Sequence, residues 1–383
     1  MKHAVWKRCL ALVLGASLFA GAGTCAAKER LVVDWTPNVY SISTEDNGLL
    51  ESPGVKEKIR QALTAKLKSL QAQKKLPFEV KFSNDLQVSG IQDDYSDVTP
   101  IGLMPIVLLD DAFTTHYHAA DQDIYKSIVT SCMGMAVCSA GANGEGWRIL
   151  TVIPLNEKKV LGADIQNLIT TPITEQQLAD VYADITVQMI EKRLDFSSAK
   201  KVLKDWEEKQ ETPETYQVAD VGISSKKAQQ VFHGHGIEIR NIIANFYTEA
   251  FQKKTGKVVL PPGIAAPYQK DVTSNLYSMQ IRSDDGTMDL AMAAPMHEIN
   301  LDFSGANWQE VQRKDASDVR SDVAYKAWLT EKSDLRPERT ETGYAVQMYL
   351  KDKGKGNAVD VDAKDIYTQI LIDLATKMGK QEK

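Results

Sequence analysis

Apolar and polar positions along the 383-residue chain change period several times, and each change marks an element. Leu31 to Val33, with Trp35, make a short strand-like run ahead of a polar loop, Ser41 to Glu51. Ser52-Pro53 then supplies a cap and a proline suited to the first helical position. Beyond it Val55, Ile59, Ala62, Leu63, Leu67 and Leu70 recur at helical spacing, and Leu76-Pro77 closes the helix. Phe78, Val80 and Phe82 alternate with Glu79 and Lys81, as in a half-buried strand. Ile101 to Leu109, Ile124 to Val137 and Trp147 to Pro154 are rich in valine and isoleucine and separated by polar or glycine-rich turns. They predict an antiparallel set of strands.

Between 164 and 212 the period returns to that of a helix. Thr171-Pro172 is a start signal, Leu178, Val181, Tyr182, Ile185 and Met189 share one face, and a second helix is predicted from Ser198 to Lys209. The second half then repeats the order of the first. Val218 to Ile223 is strand-like. Ile239, Ile242, Ile243, Phe246, Tyr247, Ala250 and Phe251 give the cleanest helical stripe in the chain, ended by Gly256. Val258 to Leu260 is a short strand stopped by Pro261-Pro262-Gly263, and two apolar runs flank an Asp284-Asp285-Gly286 turn, a hairpin signal. From Asp315 the chain reads as polar until Tyr367, Ile370, Leu371 and Leu374, an amphipathic closing helix.

The fold class expected is α/β (α+β): two mixed-sheet modules of similar element order joined by a helical segment. Their expected bounds are 28–162 for the first module, 163–215 for the connector, 216–312 for the second module and 313–383 for a polar tail with its closing helix. Strand, capped helix and short strand, LPFEVKF in the first half and KTGKVVLPPG in the second, resemble extracytoplasmic envelope modules, namely the TolB amino-terminal domain and the CsgG-type secretion lipoproteins. That resemblance implies a non-catalytic scaffold working through protein contacts.

Residues 1–27 support the same compartment. Lys2, Lys7 and Arg8 precede an apolar run, Cys9 to Ala22, and small residues follow from Gly23 to Ala27. That is the order of a secretory signal peptide, and the run is short of the roughly 20 residues of a membrane span. Cys25 leaves two outcomes open, lipidation or cleavage after Ala27; Thr24 is not the small residue a lipobox places there, so plain cleavage is favoured. Losing three cations and no acid takes the net charge from −6 to about −9. An acidic surface argues against a nucleic-acid partner, and no second long apolar run predicts a permanent span.

Cys132 and Cys138 remain. In an oxidising compartment the first reading is a disulfide, which requires a turn between them at Gly134; a straight strand would instead leave both thiols unpaired on one side.

Histidine carries the candidate chemistry. His116-Tyr117-His118 places two rings on one strand face with Asp121 close behind, and THYHAADQD resembles the THxHxDH entry of metallo-β-lactamase-type hydrolases, with its aspartate one residue late and its third histidine missing. That resemblance implies a zinc ion activating water at His116, His118 and Asp121. His233-Gly234-His235 precedes the strongest helix, and convergence of the two HxH segments would supply four ligands. The bland alternative is a set of exposed strand-end and loop histidines, and it is favoured, because a metal site requires three or four ligands. No nucleophile motif is present, and Gly141 to Gly146 lacks the lysine and helix of a phosphate loop. The function expected is therefore an exported envelope binding or scaffold protein, with other envelope proteins or a second copy as partner. A zinc hydrolase and a periplasmic solute receptor stand as alternatives.

Overall fold

One element order occurs twice. The structure, a computed structural model, describes residues 30–42, 48–82, 98–119, 122–140, 146–162, 168–209, 214–264, 269–270, 276–314, 319–351 and 358–381. The signal-peptide segment with Cys25, the candidate ligand Asp121 and residues 141–145 lie outside them. The first unit contains β1 (Arg30–Trp35), β2 (Tyr40–Ser41), α1 (Val55–Ala72), β3 (Glu79–Phe82), β4 (Val98–Ala119), β5 (Gln122–Ala140), β6 (Trp147–Leu161), α2 (Glu175–Arg193) and α3 (Ser197–Lys209). The second contains β7 (Thr215–Gly222), α4 (Lys226–Val231), α5 (Gly236–Thr255), β8 (Val258–Val259), β9 (Gln269–Lys270), β10 (Leu276–Ser283), β11 (Gly286–Ala293), β12 (His297–Lys314), β13 (Val319–Ser333), β14 (Arg339–Lys351) and α6 (Ala358–Lys380).

The protein is α/β with mixed sheets, as its periodicity predicts. Strands β3-β1-β4-β5-β6 lie side by side in the first sheet, and β8-β7-β12-β13-β14 in the second. In each, the first strand runs parallel to two neighbours, and a three-stranded antiparallel meander follows. The two orders are the same, position for position.

Helices α1, α2 and α3 cover one face of the first sheet. Ile59, Leu63 and Leu67 of α1 and Tyr182, Met189 and Ile190 of α2 bury against Val107, Met133 and Val137. Removing each such side chain from water stabilises the fold by about 1.5–3 kcal/mol. The segment expected as a connector is therefore part of this layer. Its helix starts one turn later than Thr171-Pro172 suggests, at Thr174, where Thr174 and Gln177 form a reciprocal cap. In the second unit, α5 and α6 cover one face of the sheet, with Ile243, Tyr247, Tyr367 and Leu371 on Phe303, Tyr325 and Leu329.

The opposite face of the first sheet is covered as well, and from an unexpected source. The β10–β11 hairpin, expected within the second module, leaves its own sheet and pairs with the first: β11 with β6 at Leu290↔Trp147, β10 with β2 at Arg282↔Ser41. Because β2 also pairs with β4 at Tyr40↔Ile106, strands β2, β4, β5, β6, β11 and β10 close into a ring. Met104, Ile106, Cys132, Cys138, Met279 and Leu290 meet inside it. Buried on both faces, β4 to β6 read as near-continuous apolar runs. The interior is tight. A Cβ on Gly134 would lie 2.6 Å from Val152, and one on Gly102 would lie 2.7 Å from the Trp147 ring.

Two further expectations are corrected. Residues from 313 onward are no polar tail: β13 and β14 complete the second sheet, and Val323, Tyr325, Ala327 and Leu329 alternate into its core. Cys132 and Cys138 are free and fully buried. The chain does not turn at Gly134 but runs straight through β5, and six strand residues span about 20 Å, well beyond the reach of a bridge.

Candidate interaction surface and the histidine clusters

The HxH pair of β4 stands at the tip of the β4–β5 hairpin. The return strand sets Asp123 opposite His118 and Tyr125 opposite His116. His116 Nε2 and His118 Nδ1 lie 3.0 and 3.2 Å from the same oxygen, Asp123 Oδ1, and the His116 ring stacks on Tyr125 at 4.6 Å. Hydrogen bonds from His116 and then His118 hold the Asp123 carboxyl below its ordinary range. The acid beside the pair is thus Asp123, a cross-strand neighbour that linear spacing does not reveal. Among the described residues, no group of three or more His, Cys, Asp or Glu side chains is arranged to hold a metal ion.

His233 is exposed, whereas His235 caps the start of α5 and meets the Phe113 ring edge-on at 5.1 Å. Phe113, Ile242 and Ile372 form a small apolar cluster there. His116 lies three residues further along β4, roughly 10 Å of strand. The two HxH segments, one on β4 and one in the turn before α5, do not converge on a point.

His297, which stands alone in the sequence, has the densest surroundings. At the start of β12 its Nε2 lies 2.7 Å from Glu214 Oε1 and its Nδ1 lies 2.8 Å from Asp334 Oδ2. The ring stacks on Tyr216 at 4.7 Å, and Lys257 Nζ donates to the Tyr216 hydroxyl at 2.7 Å. Asp334 foremost, and Glu214, raise the histidine's pKa, since both favour the imidazolium. A shallow cavity of about 500 Å³ opens beside it, lined by Met296, Glu298, Asn300, Lys332 and Asp334. With both ring nitrogens held by carboxylates, the group binds a proton and ties the starts of β7 and β12 to the end of β13. No nucleophile faces it in these contacts.

The acidic hairpin turn also gains a role. Asp284 pairs with Lys56 at 2.8 Å and with Arg60, both on α1, and Asn38 donates to Asp285 at 2.9 Å. The turn docks the β10–β11 hairpin onto the first unit.

The broadest unoccupied feature is the outer face of the second sheet. Cross-strand register lines up Gln309, Ala324 and Val346, then Asn307, Lys326 and Tyr344, then Gly305, Trp328 and Thr342. Trp328 lies flat over Gly305, where a Cβ would come within 2.5 Å of the ring. Lys326 Nζ sits 4.7 Å from the Trp328 ring and 5.2 Å from Tyr344. Tyr344 and Val346 are 67% and 71% exposed, and Val311 extends the apolar surface along β12. Among the described residues no helix or strand covers this face, and β14 is the outermost strand of its sheet. The sequence carries a partial alternation here, Val323, Tyr325, Ala327 and Leu329 against Asp322, Lys326 and Thr330, and the apolar Ala324 and Trp328 on the outer face blur it.

No family model matches the sequence, and no curated protein matches it. None of the described helices is long and apolar enough to cross a membrane. Among solved structures, the chain is similar to the putative neuraminyllactose-binding hemagglutinin homolog from Helicobacter pylori, at 13% identity and a TM-score of 0.26, over 50% of this chain and 97% of that one.

Proposed function

We propose that this protein is an exported binding or scaffold component of the cell envelope, acting through protein contacts at the outer face and edge of its second sheet. The observation that carries the reading is the surface around Trp328, Tyr344 and Val346, left uncovered among the described residues, where the equivalent face of the first sheet is packed under the β10–β11 hairpin. Contiguous exposed apolar surface at a sheet edge is characteristic of interaction sites. The basic, apolar and small-residue order of positions 1–27 supports export, and the pattern shared with the TolB amino-terminal domain and the CsgG-type lipoproteins supports an envelope setting. The zinc hydrolase reading gains no support among the described residues, where His116 and His118 meet Asp123 and no further ligand set converges on them.

A photoreactive residue at position 344, expressed in cells, tests the reading. The expected result is a discrete crosslinked adduct that Val346→Lys abolishes, while the same probe at His233, exposed on the other face of the second unit, gives none. A clean, uncrosslinked chain at position 344 would refute the proposed surface.

A further inference from the structure

We infer that the occupant of this surface is a second copy of the same chain, its β14 pairing antiparallel with β14 to make one continuous sheet across a two-fold axis. The inference rests on the proposed contact surface and names its partner. Three observations point to self-pairing. First, β14 is a long edge strand whose cations stand only at its two ends, Arg339 and Lys351: between Thr340 and Leu350 there is no proline, lysine or arginine, and the only charge is Glu341. Second, its topological equivalent in the first unit, β6, gains a strand at that edge from β11, so strand addition at this position is already used by the fold. Third, the strand is complementary to itself in charge. A register centred on Tyr344 sets Tyr344 against Tyr344, Thr342 against Val346 and Gly343 against Ala345, with Glu341 opposite the neutral Gln347. No like charges meet, and a strongly charged partner strand would find nothing to pair with.

Thr342, Tyr344 and Val346 of β14 face the open side, and Gly343 and Ala345 face α6, as Gly343 against Ile370 and Leu374 shows. Opposed residues in an antiparallel pair share a face. The two outer faces would therefore merge into one surface with two Tyr344 rings at its centre and a Lys326 on each flank. An isologous contact of this kind requires a self-complementary patch, which the central residues provide.

The test uses the purified, processed protein. Sedimentation velocity is expected to show a dimer, and Tyr344→Lys, which sets two ammonium groups face to face, is expected to weaken it about tenfold or more. Tyr344 is exposed, so a circular dichroism spectrum and melting temperature close to wild type confirm that the variant folds. In Tyr344→Cys the paired Cα atoms fall within disulfide range, so oxidation with diamide gives a covalent dimer. Cys132 and Cys138 are buried, and Lys332→Cys, exposed elsewhere, serves as the control that does not crosslink. A monomer at all concentrations, or a dimer indifferent to Tyr344→Lys, overturns the inference. A monomer that still yields a position-344 adduct of another mass in cells sinks the self-pairing alone; no adduct at all sinks the contact surface too.

Discussion

The third meander strand of each unit, β6 in the first and β14 in the second, meets its outer edge in opposite ways. Trp147 and Arg148 of β6 pair with β11. Further along, α5 replaces a strand with side chains: Gln252 Nε2 donates to the Val152 carbonyl at 2.7 Å, and Glu249 Oε2 accepts from the Asn156 N–H at 3.0 Å. Arg193 and Lys253 neutralise Glu249, which is 5% exposed. Strand β14 has neither device among the described residues. One topology, used twice, is thus sealed at β6 by elements of the second unit, whereas at β14 no described element does the same. The lesson is that an edge left bare in such a chain is a place where another chain can do what α5 and β11 do for β6.

Opening the sealed edge should have the largest effect. Glu249→Ala leaves the Asn156 N–H without its acceptor, while Arg193 keeps Glu157 and the Asn156 carbonyl, and losing a buried hydrogen bond to a charged group costs about 2–3 kcal/mol. Urea unfolding should show that loss, together with new self-association through β6; a change under about 0.5 kcal/mol would mean that α5 does not seal the edge.

Next in size is the ring that only the first unit possesses. Gly134→Ala forces a Cβ against Val152, an overpacking cost of about 1–3 kcal/mol by thermal or urea unfolding. A neutral result would mean that the ring interior is loose.

Each unit also holds a proton-linked group whose titration raises stability at low pH. Burial beneath Gly48 and Leu50 pushes the Asp110 carboxyl up to about 6 from 3.8. Between those values the folded state keeps a proton that the unfolded state has lost, so the contribution of Asp110 is full below pH 3.8 and is lost as pH rises through 6. Asp110→Asn should remove that slope and raise stability at pH 7 by about 1–2 kcal/mol, after allowance for partial solvation. His297 acts in the next window. Its folded pKa is raised above 6.5, so its contribution is complete below that pH and is lost as pH rises through the folded value. His297→Gln should remove this second, smaller decline, worth about 0.5 kcal/mol at a partly exposed site. Unfolding midpoints from pH 4 to pH 9 for both variants resolve the two steps; a wild-type curve flat across both windows would refute them.

Much of the local structure was legible in the amino-acid order. The stripe from Ile239 to Phe251 gave α5 and Gly256 its stop, where φ of 67° suits glycine. Asp284-Asp285-Gly286 gave the β10–β11 turn, Val55 to Leu70 gave α1, and the valine-rich runs gave β4, β5 and β6. The doubled element order was legible as well, though the sequence reading took the β10–β11 hairpin for the second meander. Strands β13 and β14 are hard to read from the sequence because their outer positions mix Lys326, Thr330 and Thr342 with Trp328, Tyr344 and Val346, while small residues, Gly343 and Ala345, face α6. Of the site, the histidines were visible but not their partners, since Asp123 for His118 and both Glu214 and Asp334 for His297 come from other strands and turns.

By itself, the sequence determined the elements, their repeated order and the leader-like start, because helical and strand periods are written into neighbouring residues. Only the tertiary structure decided which sheet the hairpin joins, that Cys132 and Cys138 lie along one straight strand, and which edge stays open. Those outcomes depend on pairings between residues far apart in the chain, such as Leu290 with Trp147 and Arg282 with Ser41, whose mutual fit no local pattern records.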